Sequence, residues 1–100
     1  MLVGVVGVMG TRRIRRAVRD GLYEFTLHAI EEMDEDGLAE ADVVAVLLKG
    51  KLGGRSTKDR RGVRFVVRGR ISGIDRAADV VCRFLPSGVL RIIAAYRFED

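Results

Sequence analysis

The apolar residues of this chain change their spacing at Gly50, and that change restricts the fold more than any other feature. Before it they recur every three or four positions: Ile14, Ala17 and Val18; then Leu27, Ile30 and Met33; then Val43, Val44, Val46, Leu47 and Leu48. With 3.6 residues per helical turn, each set forms a stripe on one helix face. After Gly50 the period falls to two, over 63–70, 78–85 and 89–97. Successive side chains of a strand point to opposite faces, so this alternation predicts three strands with one face on a core. Helices first and strands afterwards predict an α+β domain, with N-terminal helices packed on one face of an antiparallel meander. One hundred residues make one domain, its core at 12–97, and bury about two thirds of the surface exposed on unfolding.

Local signals punctuate these elements. Thr11 reads as the cap of a helix over 12–20 that Gly21 ends in a left-handed conformation. Thr26 caps a second helix over 27–35, closed by Asp36-Gly37, and Glu40 and Asp42 open a third over 40–49 that Gly50 stops. Residues 51–62 are a basic, glycine-bearing connection with room for a short edge strand. A turn falls at 71–76, and Pro86-Ser87-Gly88 makes a tight hairpin turn. Residues 1–10 read either as a strand or as an extension ahead of the domain; the β-branched content of Leu2–Val8 favours the strand.

Charge is segregated along the chain. Residues 1–20 hold five arginines and one aspartate, 21–50 one lysine and eight acids, and 51–100 twelve basic residues and five acids. Outside the acidic stretch, fifteen of seventeen basic residues are arginine, the side chain suited to bidentate phosphate contacts. Strand parity aligns them. Phe65, Val67, Val80, Cys82, Leu90, Ile92, Ala94 and Tyr96 face inward, while Arg64, Arg68, Arg70, Arg83, Arg91 and Arg97 face outward. A bulge at Gly69 would turn Arg70 over. Such a face is either a solvated surface or a platform for RNA, where cations bind phosphates and guanidinium planes stack on splayed bases.

His28, the only histidine, sits at the start of the second helix. It is either a residue bonding nearby backbone or a general acid/base. Tyr96 is either a buried tyrosine or a second proton-transfer group. Cys82 reads as core, and one cysteine excludes a disulfide within the chain. The acids at 31–36 lack calcium-loop spacing and read as a solvated face. No phosphate-binding glycine loop, nucleophile elbow or metal-ligand cluster occurs in the sequence, so no cofactor is expected. No membrane-spanning or export segment is recognised either, which makes the cytoplasm the expected location.

The segment from Ile14 to Tyr96 resembles domain-of-unknown-function family 4258. Phe25, Thr26, His28, Ala29, Met33, Gly37, Asp42, Val43 and Gly50 match its opening in order, and Val81, Gly88, Ile92, Ile93 and Tyr96 match its last hairpin. One position departs: Glu32 stands where the family usually has an arginine. The family in turn resembles small toxins of the RelE and MqsR type. That resemblance implies a toxin of a toxin–antitoxin pair, an endoribonuclease that cleaves messenger RNA without a metal. It also implies an antitoxin partner, of zinc-finger type.

For that chemistry His28 and Tyr96 are the candidates for proton transfer, and Arg70, Arg83 and Lys58 for stabilising phosphorane charge. Arg64, Arg68, Arg91 and Arg97 are the candidates for holding RNA. The alternative is a non-catalytic RNA- or protein-binding module of the same fold. His28 and Tyr96 brought close to the arginines favour the first, and their separation favours the second.

Overall fold

The stripes and alternations meet in two layers. In chain order the elements are α1 (Leu2–Arg19), β1 (Tyr23–Phe25), α2 (Leu27–Asp36), α3 (Glu40–Lys49), β2 (Lys51–Ser56), β3 (Arg64–Arg70), β4 (Ala77–Phe84) and β5 (Leu90–Phe98). They come from a computed structural model that describes residues 2–56, 62–71 and 76–98. The strands form one sheet in the order β1-β5-β4-β3-β2. β2 through β5 pair antiparallel, which gives the expected meander, with β2 as its edge strand. β1 was not expected: three residues pair parallel to β5, so this α+β fold has a mixed sheet.

The helices fit the expectation except at the N-terminus. Residues 2–10 form the first half of α1, not a strand, and Thr11 lies within the helix instead of capping it. A formed helix extends by one hydrogen bond per residue, whereas a further strand needs a sheet edge to pair with, so β-branched content was a weak guide. At the other end Gly21, at φ 72°, takes the left-handed conformation. Its N–H donates to Val18 and that of Leu22 to Ala17, the paired bonds of a Schellman motif. Gly37, at φ 68°, ends α2 with the same two bonds, to Asp34 from its own N–H and to Met33 from Leu38.

Thr26 fixes how α2 lies. Its hydroxyl accepts from the Ala29 N–H at 3.1 Å and donates to the Ile93 carbonyl at 3.0 Å, so one side chain both caps the helix and ties it to β5. Held there, α2 buries Ala29 and Met33. Leu27 and Ile30, expected in the core, are 71% and 50% exposed.

The core lies between the layers. Ile14, Val43, Val46 and Leu47 of the helices pack on Val80, Cys82, Leu90 and Ile92, all at 1% exposure or less. Burial pushes the Cys82 thiol up to about 12, which keeps it a neutral core residue as expected. α3 meets β3 through two glycines. A Cβ on Gly50 would come within 2.5 Å of the Val46 carbonyl oxygen and 2.6 Å of that of Arg68, and one on Gly69 within 3.0 Å of the Gly50 Cα. Gly50 has room for hydrogen only, and at Gly69 a Cβ would need its neighbours Gly50 and Val46 to give way slightly.

Candidate functional site

The helices cover the side of the sheet that carries Val67, Ala78, Val80 and Cys82, so parity assigned the faces of β3 and β4 correctly. Arg64, Arg68, Arg70, Asp79 and Arg83 lie on the opposite face. The ladder runs without a shift through Gly69↔Ala78 and Arg70↔Ala77, so there is no bulge at Gly69.

The bulge falls on β5. Val81 pairs with Ala94 and Cys82 with Ile92, which leaves Ile93 as an extra residue. One extra residue inverts every side chain beyond it. Leu90 and Ile92 therefore face the helices, but so do Ala95, opposite Val80, and Arg97, opposite Ala78. Tyr96, expected inward, lies opposite Asp79 on the arginine face, with Ala94 before it and Phe98 after it. Arg97, expected on that face, is on the helix side. Ala95 at 0% exposure marks the change.

Tyr96, Asp79 and Arg68 are thus neighbours across three strands, with Phe98 alongside. Asp79 is only 5% exposed and accepts from Arg68 Nε at 2.7 Å and Nη2 at 2.9 Å, a bidentate charge-assisted pair. The Arg68 guanidinium carbon lies 3.4 Å from the centroid of the Phe98 ring. Burial, then the charges of Asp79 and Glu32, push the Tyr96 hydroxyl above its ordinary value, with Arg68 pulling the other way. Tyr96 is held as the protonated phenol.

Glu32 links this cluster to His28. Beyond β1, no strand among the described residues lies beside the outer edge of β5. α2 runs along that edge, and its carboxylates accept the strand amides: Ala95 N–H to Glu32 Oε1 at 3.2 Å and Arg97 N–H to Asp36 Oδ2 at 2.8 Å. The edge is closed by side chains of a helix. The same Glu32 oxygen lies 3.4 Å from His28 Nε2. Glu32, the departure from the family pattern, is therefore both an edge clasp and a charge that contacts the exposed imidazole and acts on Tyr96.

A row of arginines crosses the sheet near the hairpin. Arg91, Arg83 and Arg64 stand directly opposite one another on β5, β4 and β3, with Glu24 of β1 at the end. Arg91 Nε donates to Glu24 Oε2 at 2.9 Å. Arg83 is 6% exposed, so it is a buried cation and not the open one that parity suggested. Like charges side by side raise the local potential and attract a polyanion. Arg70 is exposed on the same face. Lys58 lies outside the described residues. Arg97 instead lines a cleft of about 450 Å³ on the helix side, with Asp34, Asp36, Asp42 and Arg76. Among the described residues no group of three or more His, Cys, Asp and Glu side chains is placed to hold a metal ion.

The signal sequence reading lacked was the bulge. Ile93, Ala94 and Ala95 are all small or apolar, so nothing in the sequence contrasts the two faces where the register slips.

Fold and site together define a small α+β domain with a helix-covered face and an arginine-rich open face edged by aromatic residues. The chain belongs to the family described as Domain of unknown function (DUF4258), whose pattern matches residues 25–97. That span includes His28, Glu32, Asp79, Arg83 and Tyr96. No curated protein and no solved structure matches the chain.

Proposed function

We propose that this chain binds single-stranded RNA on its arginine face and cleaves it as the endoribonuclease of a toxin–antitoxin pair, of RelE or MqsR type. The observation that carries the reading is the Ile93 bulge. It turns Tyr96 onto the arginine face beside Arg68 and Asp79, within electrostatic reach of the Glu32 that contacts His28.

The reaction uses protein groups alone. His28 takes the proton of a ribose 2′-hydroxyl, whose oxygen bonds to the adjacent phosphorus. The bond from phosphorus to the 5′-oxygen breaks, and Tyr96, held protonated, donates to that oxygen, which as an alkoxide is a stronger base than phenolate. The products are a 2′,3′-cyclic phosphate and a 5′-hydroxyl. Arg70, Arg64 and Arg91 stabilise the phosphorane dianion and hold the flanking phosphates, and the buried Arg83 between them adds to the potential without touching the strand.

Affinity is tested on Arg64, Arg70 and Arg91, since Arg83 is buried and Arg68 balances the buried Asp79. Replacing the three with alanine is expected to weaken binding more than ten-fold at low salt. Cleavage is tested with His28→Ala and Tyr96→Phe on RNA and on the 2′-deoxy analogue. Loss in either variant, with the deoxy strand uncut, supports the mechanism; undiminished cleavage in both rejects it.

The second reading is a non-catalytic RNA- or protein-binding module. It is favoured by the internal pairing of Arg68 with Asp79 and Arg91 with Glu24, which commits part of the cationic face to the fold itself.

A further inference from the structure

We propose that the outer side of α2 pairs with α1 of a second copy, so that the free chain is a two-fold dimer in which each α1 lies along the other copy's α2. This is independent of the RNA reading above.

The two helices are complementary on the sides that their own fold leaves uncovered. α2 buries Ala29 and Met33, and the opposite stripe, Leu27, Ile30, Glu31, Asp34 and Glu35, is exposed. Its two apolar residues lie toward the N-terminus, at 71% and 50% exposure, and its three acids lie toward the C-terminus. Carboxylates are poorly placed there, because the end of a helix already carries partial negative charge and the last turn of α2 holds no basic residue. Among the described residues none of the three acids has an ion pair. Cations from outside the chain relieve that repulsion, and α1 has them in the matching order. It buries Ile14, Ala17 and Val18, and by helical spacing Arg12, Arg16 and Arg19 form the stripe directly opposite, all three exposed. Among the described residues Arg12 and Arg19 have no ion pair, and Arg16 meets Asp20 at 4.0 Å with both side chains more than half exposed. Ahead of Thr11 the helix runs through residues 2–10 without a single charge. From N- to C-terminus, α1 thus passes from uncharged to basic and α2 from apolar to acidic. Laid parallel, they set Leu27 and Ile30 beside the uncharged half of α1 and the three acids beside the three arginines. Both stripes face away from the one core, so a single chain cannot pair them with each other. A two-fold axis makes the contact twice.

The test is sedimentation velocity of the free chain over a range of concentrations. The wild-type protein is expected to sediment as a dimer. Glu31→Lys, Asp34→Lys and Glu35→Lys together, or Arg12→Glu, Arg16→Glu and Arg19→Glu together, put like charges face to face. Either set should raise the dissociation constant at least about ten-fold. Mixing the two variants restores opposite charges at both contacts, so a heterodimer of about wild-type affinity is expected. All six positions are exposed, and circular dichroism identifies folded variants. Leu27→Ser with Ile30→Ser, which removes the apolar contact and should also weaken the dimer, replaces a reversal that does not fold. A monomeric wild-type chain, a dimer indifferent to these substitutions, or folded reversals that do not rescue each other overturns the pairing. So does a monomer that loses a co-purified basic protein when the acids of α2 are reversed, which would give this surface to that protein.

Discussion

Asp79 is a buried acid in the middle of a sheet, and its surroundings set the behaviour of the residues around it. Its carboxylate is satisfied by Arg68 from one side, and Tyr96 stands opposite it on β5. Truncating Arg68 to alanine leaves a buried carboxylate without its bidentate partner. Because Arg68 is about half exposed, the expected loss is about 2 kcal/mol, less than for a fully buried pair, read from urea denaturation. The same neighbours govern Tyr96. Burial, Asp79 and Glu32 raise its pKa above 10.0, so the folded state holds the phenol proton more tightly than the unfolded chain does. The stability linked to Tyr96 is therefore complete below pH 10.0 and declines as the pH rises through the folded value. In a spectroscopic titration, taken as the difference from Tyr96→Phe, Asp79→Asn should move this ionisation down and Arg68→Ala should move it up. The opposite order would mean that the three side chains do not share a site.

Single residues decide where whole elements lie. Thr26 joins the start of α2 to β5, Gly50 lets the end of α3 touch β3, and Ile93 resets the face of β5. Gly50→Ala would drive a Cβ into two carbonyl oxygens at about 2.5 Å, and the backbone has no way to yield without separating α3 from β3. A loss of about 3 kcal/mol is expected, with the thermal midpoint as the measurement. Thr26→Ala should cost about 1–2 kcal/mol, at the upper end for a cap because the bond to Ile93 goes too. Much at this scale was legible in the sequence. Helix stops at Gly21, Gly37 and Gly50 and the alternation of β3 and β4 follow from local chemistry that contacts elsewhere do not alter. Other features depend on tertiary partners. β1 is three residues long and exists because β5 offers an edge. Residues 2–10 join a helix already formed behind them. Leu27 and Ile30 were assigned to the core from their spacing, but the bond from Thr26 to Ile93 turns them outward. The candidate site was half legible for the same reason. Its β3 and β4 residues were given the right face, although Arg83 is buried there, whereas Tyr96 and Arg97 exchanged faces at a bulge that the run Ile-Ile-Ala-Ala does not signal.

At the scale of the molecule, the segregated charge of the sequence becomes two surfaces. The open face carries the arginine row with Arg68 and Arg70, and the outer side of α2 carries exposed Glu31, Asp34 and Glu35 beside Leu27 and Ile30. Under the toxin reading an unrestrained ribonuclease harms its own cell, so a partner has to cover the face that holds RNA. An acidic surface, such as that of an antitoxin with a zinc finger, complements the Arg91–Arg83–Arg64 row, and basic residues on the same partner complement α2. Opposite charges steer such a pair together quickly and make association salt-dependent. Because partner and RNA would use the same guanidinium groups, their binding should be mutually exclusive. The test is co-expression with the adjacent open reading frame, followed by titration of the purified complex with labelled RNA. The complex is expected to bind RNA at least ten-fold more weakly than the free chain, and replacing Arg64 and Arg91 with alanine should weaken both ligands together as two phosphate or carboxylate contacts are lost. A partner that stays bound while RNA binds with undiminished affinity would place the protein interface elsewhere, with the exposed apolar and acidic side of α2 the first surface to substitute.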